Sequence, residues 1–167
     1  MKQLTGILAR ATARIAPDYF LLPLHGADPV YRERVYCYEL YHQIRLLWPK
    51  SGPYRINGEV DKAAHPYFQN ASAPKPDFLV HQPGTGNNHA VVEVKTSQAV
   101  EAGIVKDIQT LTRFTNEFGY KRAIYLLYGA DAELKLQMAR KIAAEIQGGK
   151  GVEIWIHAKA GNPAVCA

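Results

Sequence analysis

A chain of 167 residues is long enough to bury one substantial core and short for two. With 47% hydrophobic and 21% charged residues its usage is that of an ordinary globular protein, which excludes collagen-like, coiled-coil and wholly disordered chains. Lys and Arg number 20 against 15 Asp and Glu, and the resulting formal charge of +5 favours a polyanionic partner without naming one.

Two cysteines, Cys37 and Cys166, stand in no paired spacing, so neither a disulfide framework nor a structural zinc cluster is supported, and a reducing, cytoplasmic setting is expected. No apolar run approaches the ~18 residues of a membrane span, so a soluble chain with no membrane partner is expected. The chain is read as a single domain over 1–167, with a helix and connector over 1–26 and a loose tail over 158–167.

At the N-terminus, Leu4, Ile7, Leu8, Ala11 and Ile15 recur at the spacing of an amphipathic helix. The lack of any acid before Asp18 is also a transit-peptide composition, but the helix is the simpler reading. Pro17, Pro23 and Pro29 then punctuate a connector, and Asp28-Pro29 suits an N-cap followed by a first-turn proline. A helix over 30–48 is predicted from Cys37, Leu40, Ile44 and Leu47, closed by Pro49.

Residues 54–62 alternate as a half-buried strand, with Glu59 and Asp61 among the outward residues, and 63–76 reads as a loop. Short strands are predicted over 77–81 and 89–95 with a turn between them, so the two make a hairpin in which His81 and His89 are placed to face each other. A helix over 100–118 stops at Gly119, and a strand over 122–128, a helix over 131–147 and a strand over 152–157 complete the chain.

The informative stretch is Pro76-Asp77, then fifteen residues, then Glu93-Val94-Lys95. Glu93 and Lys95 are two apart on one strand, so their side chains leave the same face while Val92 and Val94 point to the other. Asp77 opens the neighbouring strand, and whether it reaches Glu93 depends on a register that sequence does not give. Two carboxylates held together resist joint ionisation unless a cation lies between them. Mg²⁺ suits such a pair, filling its remaining positions with water and phosphate oxygens, and a nearby lysine neutralises charge growing on the phosphate.

With these residues the sequence resembles the PD-(D/E)XK, or restriction-endonuclease-like, nuclease superfamily over about 30–128. The resemblance implies an α/β fold with a mixed central sheet flanked by helices, in the order αβββαβ plus a further helix and strand. It implies a Mg²⁺-dependent nuclease hydrolysing DNA, with Mn²⁺ as a substitute ion. Asp77, Glu93 and the first-helix acid Glu39 would hold metal, and Lys95 would be the catalytic lysine. Some exonuclease-like branches carry a glutamine on the following helix, where Gln109 stands.

Lys106, Gln109 and Arg113 form one polar stripe of that helix and are candidates for DNA phosphate contacts at the rim of an acidic pocket. Two other readings are an inactive DNA-binding module of the same fold, and an interaction subunit whose N-terminal helix joins a partner protein or a second copy.

Overall fold

Residues 122–128 are apolar at nearly every position, as expected of a strand covered on both faces, and they occupy the middle of the structure. The computed structural model describes residues 3–60 and 74–167. Asp61 and most of the loop expected over 63–76 lie outside the described residues.

In chain order the elements are α1 (Leu4–Thr12), α2 (Pro17–Phe20), β1 (Leu22–Leu24), β2 (Ala27–Val30), α3 (Glu33–Leu47), β3 (Arg55–Gly58), β4 (Phe78–His81) and β5 (Asn88–Thr96). They continue as α4 (Glu101–Phe118), β6 (Arg122–Tyr128), α5 (Ala132–Glu145), a 3-10 turn at Gly149–Gly151, β7 (Val152–His157) and β8 (Val165–Cys166). Strands β3 to β8 form a six-stranded sheet in sequence order. Pairing is antiparallel from β3 to β5, parallel from β5 through β7, and antiparallel again at β8. The protein is therefore α/β with a mixed sheet flanked by helices.

Alternation along the strands sorts the core into two layers. Phe78, Val80, Val92, Val94, Ile124, Leu126 and Tyr128 face α1 and α3, while Leu79, Val91, Tyr125, Leu127, Ile154 and Ile156 face α4 and α5. Glu93 falls in the second row, one step beyond Val91. Helix α4 is stopped by Gly119, whose φ of 67° is the left-handed conformation that a helix end favours and glycine adopts at least cost.

The structure corrects the sequence reading at four places. Residues 27–30 are not a helix start: β2 pairs with β1 around Gly26, so Asp28 is no N-cap and α3 begins at Glu33. The strand predicted over 54–62 ends at Gly58, where Glu59 turns the chain at a φ of 43°. His81 pairs with Asn88 across a bulge rather than with His89, and its Nε2 lies 3.0 Å from Asn57 Oδ1. The tail is not loose: β8 adds to β7, Ala164 is buried, and its N–H donates to Thr12 Oγ1 at 2.8 Å.

The N-terminal helix is also committed to the chain's own core. Leu4, Ile7, Leu8 and Ala11 are at most 2% exposed within the layer that includes α3, which leaves that apolar side nothing to offer an outside partner. Among the described residues no helix is long and apolar enough to cross a membrane.

Deep in that layer Tyr36 stacks on Tyr128, and the Tyr36 hydroxyl lies 2.7 Å from His157 Nδ1. Burial lowers the His157 pKa to about 4, against the smaller opposing effect of hydrogen bonding near Lys159 and Asn162. The unfolded chain takes up this proton near pH 6.5 and the folded chain only near 4, so the stability contribution is complete above pH 6.5 and is lost as pH falls toward 4. Across that window the wild type should lose roughly 2–3 kcal/mol from this residue, by the linkage between pKa shift and stability. Denaturant melts of wild type and His157→Asn at several pH values check this: the variant's curve should be flatter between pH 6.5 and 4, and parallel curves would refute it.

Candidate active site

β5 is the strand at which antiparallel pairing on one side meets parallel pairing on the other, with α3 over one face and α4 over the other. The carboxyl end of β5 opens onto a cavity that residues of α3 and α4 also line. Glu93 and Lys95 occupy that end of β5.

The register left open by sequence is Phe78↔Val92 and Leu79↔Val91, which carries Asp77 to the level of Glu93. The Val94 N–H fixes Asp77 by donating to its Oδ2 at 2.7 Å. The Asp77 and Glu93 carboxyl groups interact directly, so the two do not readily carry charge at once. Burial pushes Asp77 up to about 6, against the opposing hydrogen bond from Val94 and the charge of Lys95. Burial, then the charges of Asp77 and Asp107, raise Glu93 well above the usual carboxylate range.

Lys95 leaves the strand on the same side and is held by two acids, with Nζ 3.0 Å from Glu33 Oε2 and 3.1 Å from Asp107 Oδ2. Burial acts to lower its pKa, but Asp107 and Glu33 outweigh burial and keep it above the ordinary lysine value. Lys95 is thus a fixed cation at neutral pH, not a proton acceptor. Asp107 is itself raised by burial, partly offset by Lys95.

These side chains line a cavity of about 530 Å³. Glu33, Asp77, Glu93, Lys95 and Asp107 form its acidic part, and Lys75, Lys106, Gln109, Thr110 and Arg113 complete its wall. The three residues expected on one polar stripe of α4 therefore do share one surface of the cavity. Arg113 also pairs with Glu117 at 2.8 Å, which orients its guanidinium along the helix.

The structure does not bring Glu39 to this cavity: its Oε1 accepts from Gln43 Nε2 at 2.6 Å. Glu33 enters instead. The two glutamates are six residues apart, about one and two-thirds turns, so they project from different sides of α3. Glu59 lies outside the cavity and pairs with Arg34 at 3.5 Å.

Glu33 and Asp107 were legible by one signal. Each stands on the apolar stripe of its helix, Glu33 in line with Cys37, Leu40 and Ile44, and Asp107 with Ile104, Leu111 and Phe114. An acid in such a row requires a partner once buried. Glu33→Ala should slow whatever reaction the cavity supports by about tenfold or more by releasing Lys95, whereas Glu39→Ala should leave it within about twofold, in keeping with the small worth of a helix i,i+4 pair outside the cavity. Parallel assays of the two variants decide this, and equal losses would overturn it.

Asp77 and Glu93 are the abutting pair, and Glu33 and Asp107 turn to Lys95, so among the described residues no three acidic, histidine or cysteine side chains form a ready-made metal cluster. Two adjacent carboxyl groups beside open volume still fit Mg²⁺, which takes one or two carboxylates and completes its shell with water and phosphate. The adjacent Asp77 and Glu93 carboxyl groups mark where a cation would relieve repulsion.

No protein-family model, curated protein or solved structure matches this chain. Fold and cavity together define an α/β protein in which a carboxylate pair and a fixed lysine meet at the carboxyl end of β5, in a cavity also lined by basic and amide side chains.

Proposed function

We propose that the protein is a Mg²⁺-dependent nuclease that hydrolyses DNA phosphodiester bonds, built on a restriction-endonuclease-like core. The observation that carries this reading is the register that sets Asp77 beside Glu93 with the Lys95 cation on the same strand face. Asp77 and Glu93 would hold the metal, and Glu33 rather than Glu39 is the α3 acid within the same cavity. Bound Mg²⁺ supplies the positive charge that polarises the scissile phosphate and lowers the pKa of an attacking water.

The chain's own residues do the rest. The Val94 N–H keeps Asp77 aimed at the shared position, and Asp107 and Glu33 fix the Lys95 ammonium without consuming its charge. From there Lys95 neutralises charge as it grows on the phosphate. Lys106, Gln109 and Arg113 provide donors for neighbouring phosphates, and Lys75 adds charge to the same cavity. An anionic polymer is a natural ligand for a chain of formal charge +5 whose cavity carries Lys75, Lys106 and Arg113 beside its four acids.

The direct test incubates purified protein with single-stranded, duplex and branched DNA in Mg²⁺, Mn²⁺ or chelator. Metal-dependent cleavage supports the reading. Salt-sensitive binding with no cleavage under any metal would replace it with a non-catalytic DNA-binding role.

A further inference from the structure

A second cavity, of about 310 Å³, lies on the other side of Asp77, between α3 and β3. Asp77 is common to both cavities, and its carbonyl is tied to the end of β3 by the Glu59 N–H at 3.0 Å. The second cavity is lined by Tyr38, Tyr41, Asn57, Glu59 and Phe78, with Cys37 at its base. Its volume is at the lower end of the ~300–1,000 Å³ range of small-ligand pockets.

The two tyrosines differ in their commitments. Tyr41 stacks on Phe78 and donates its hydroxyl to the Ile56 carbonyl, so it belongs to the wall. Tyr38 is 61% exposed at the mouth and, among the described residues, makes no ring stack or hydrogen bond. An aromatic face left open beside the acidic cavity is a platform for a planar group attached to a phosphate held there. Asn57 and Glu59 add polar atoms suited to the hydrogen-bonding edge of a base.

Resting on the nuclease reading above, we propose that this second cavity receives the nucleobase next to the scissile phosphate, stacked on Tyr38, and that the substrate is DNA whose base is free to leave its stack. A paired base inside a duplex cannot enter such a pocket without being extruded, which costs unpairing and unstacking energy. Single strands, flaps and frayed ends enter without that cost, so the pocket selects unpaired nucleotides. Tyr38 acts by binding and the Asp77 side by chemistry, which separates their kinetic signatures.

The test uses the full chain and single-stranded oligonucleotides carrying 2-aminopurine at successive positions, with binding read in Ca²⁺ and cleavage in Mg²⁺. Wild type should quench one position, the nucleotide flanking the cut, several-fold relative to its neighbours. Tyr38→Ala should abolish that quench and raise KM about tenfold with kcat within threefold, and Tyr38→Phe should restore both. A blunt duplex of the same sequence should be the poorer substrate. No position-specific quench, a Tyr38→Ala enzyme equal to wild type, or a preference for blunt duplex would each overturn the subsite. If wild type cleaves no DNA with any metal, the nuclease reading fails, and the quench measurement still decides whether a base occupies the pocket.

Discussion

Lys95→Ala should cleave DNA roughly a hundredfold to a thousandfold more slowly than wild type, the loss typical of removing one preorganised charge from a developing transition state. The size follows from how the ammonium is held. Two carboxylates at 3.0 and 3.1 Å fix it on the strand face that carries Glu93, so little reorganisation is needed when charge grows on the phosphate. Because Lys95 stays charged through the neutral range, its contribution is electrostatic, and Lys95→Arg should recover part of the rate by restoring the charge in a different shape. Single-turnover cleavage of one labelled strand by the three proteins measures this. Cleavage by Lys95→Ala at the wild-type rate would remove Lys95 from the chemistry.

Asp77→Asn should be more stable than wild type in chelator at pH 7.5 while losing activity. Burial leaves Asp77 with a pKa of about 6 in the folded state, above its ordinary value, so ionisation at neutral pH works against folding. The sign is opposite to that of His157: stability from Asp77 is gained as pH falls through 6 and is absent above it. Asparagine retains an oxygen for the Val94 N–H and carries no charge to desolvate. The gain should be about 1–3 kcal/mol, or an increase in Tm of about 3–8 °C for a chain of this size. Mg²⁺ should raise the Tm of wild type and have a much smaller effect on Asp77→Asn, by mass action on the folded state. Thermal melts with chelator and with Mg²⁺ test both parts. A destabilised Asp77→Asn that responds to Mg²⁺ as wild type does would show that the carboxylate pair is not a cation site.

Asp77→Asn pulls stability and activity in opposite directions, because the cavity concentrates buried charge. Asp77, Glu93 and Asp107 are all raised from their ordinary carboxylate values, and burial is the first cause each time. A site kept only for stability would place apolar residues there.

Much of the frame was readable from residue patterns. The predicted strands over 122–128 and 152–157 coincide with β6 and β7, because a covered strand bounded by glycine leaves little freedom in where it begins and ends. Period two alone put Glu93 and Lys95 on one face and Val92 and Val94 on the other, and the core layers divide in that way. The β1–β2 hairpin and strand β8 were not readable, since these strands are short and exposed and are held by pairing rather than by an apolar pattern.

The sequence by itself determined an α/β chain whose acidic pair and lysine flank one hairpin, because those facts depend only on local periodicity and spacing. Tertiary structure decided which acids meet. Register brings Asp77 level with Glu93, the true start of α3 presents Glu33 in place of Glu39, and packing of α4 delivers Asp107 to Lys95. Each of those contacts joins residues distant in sequence, and a strand slipped by one position or a helix rotated by a fraction of a turn would have joined others.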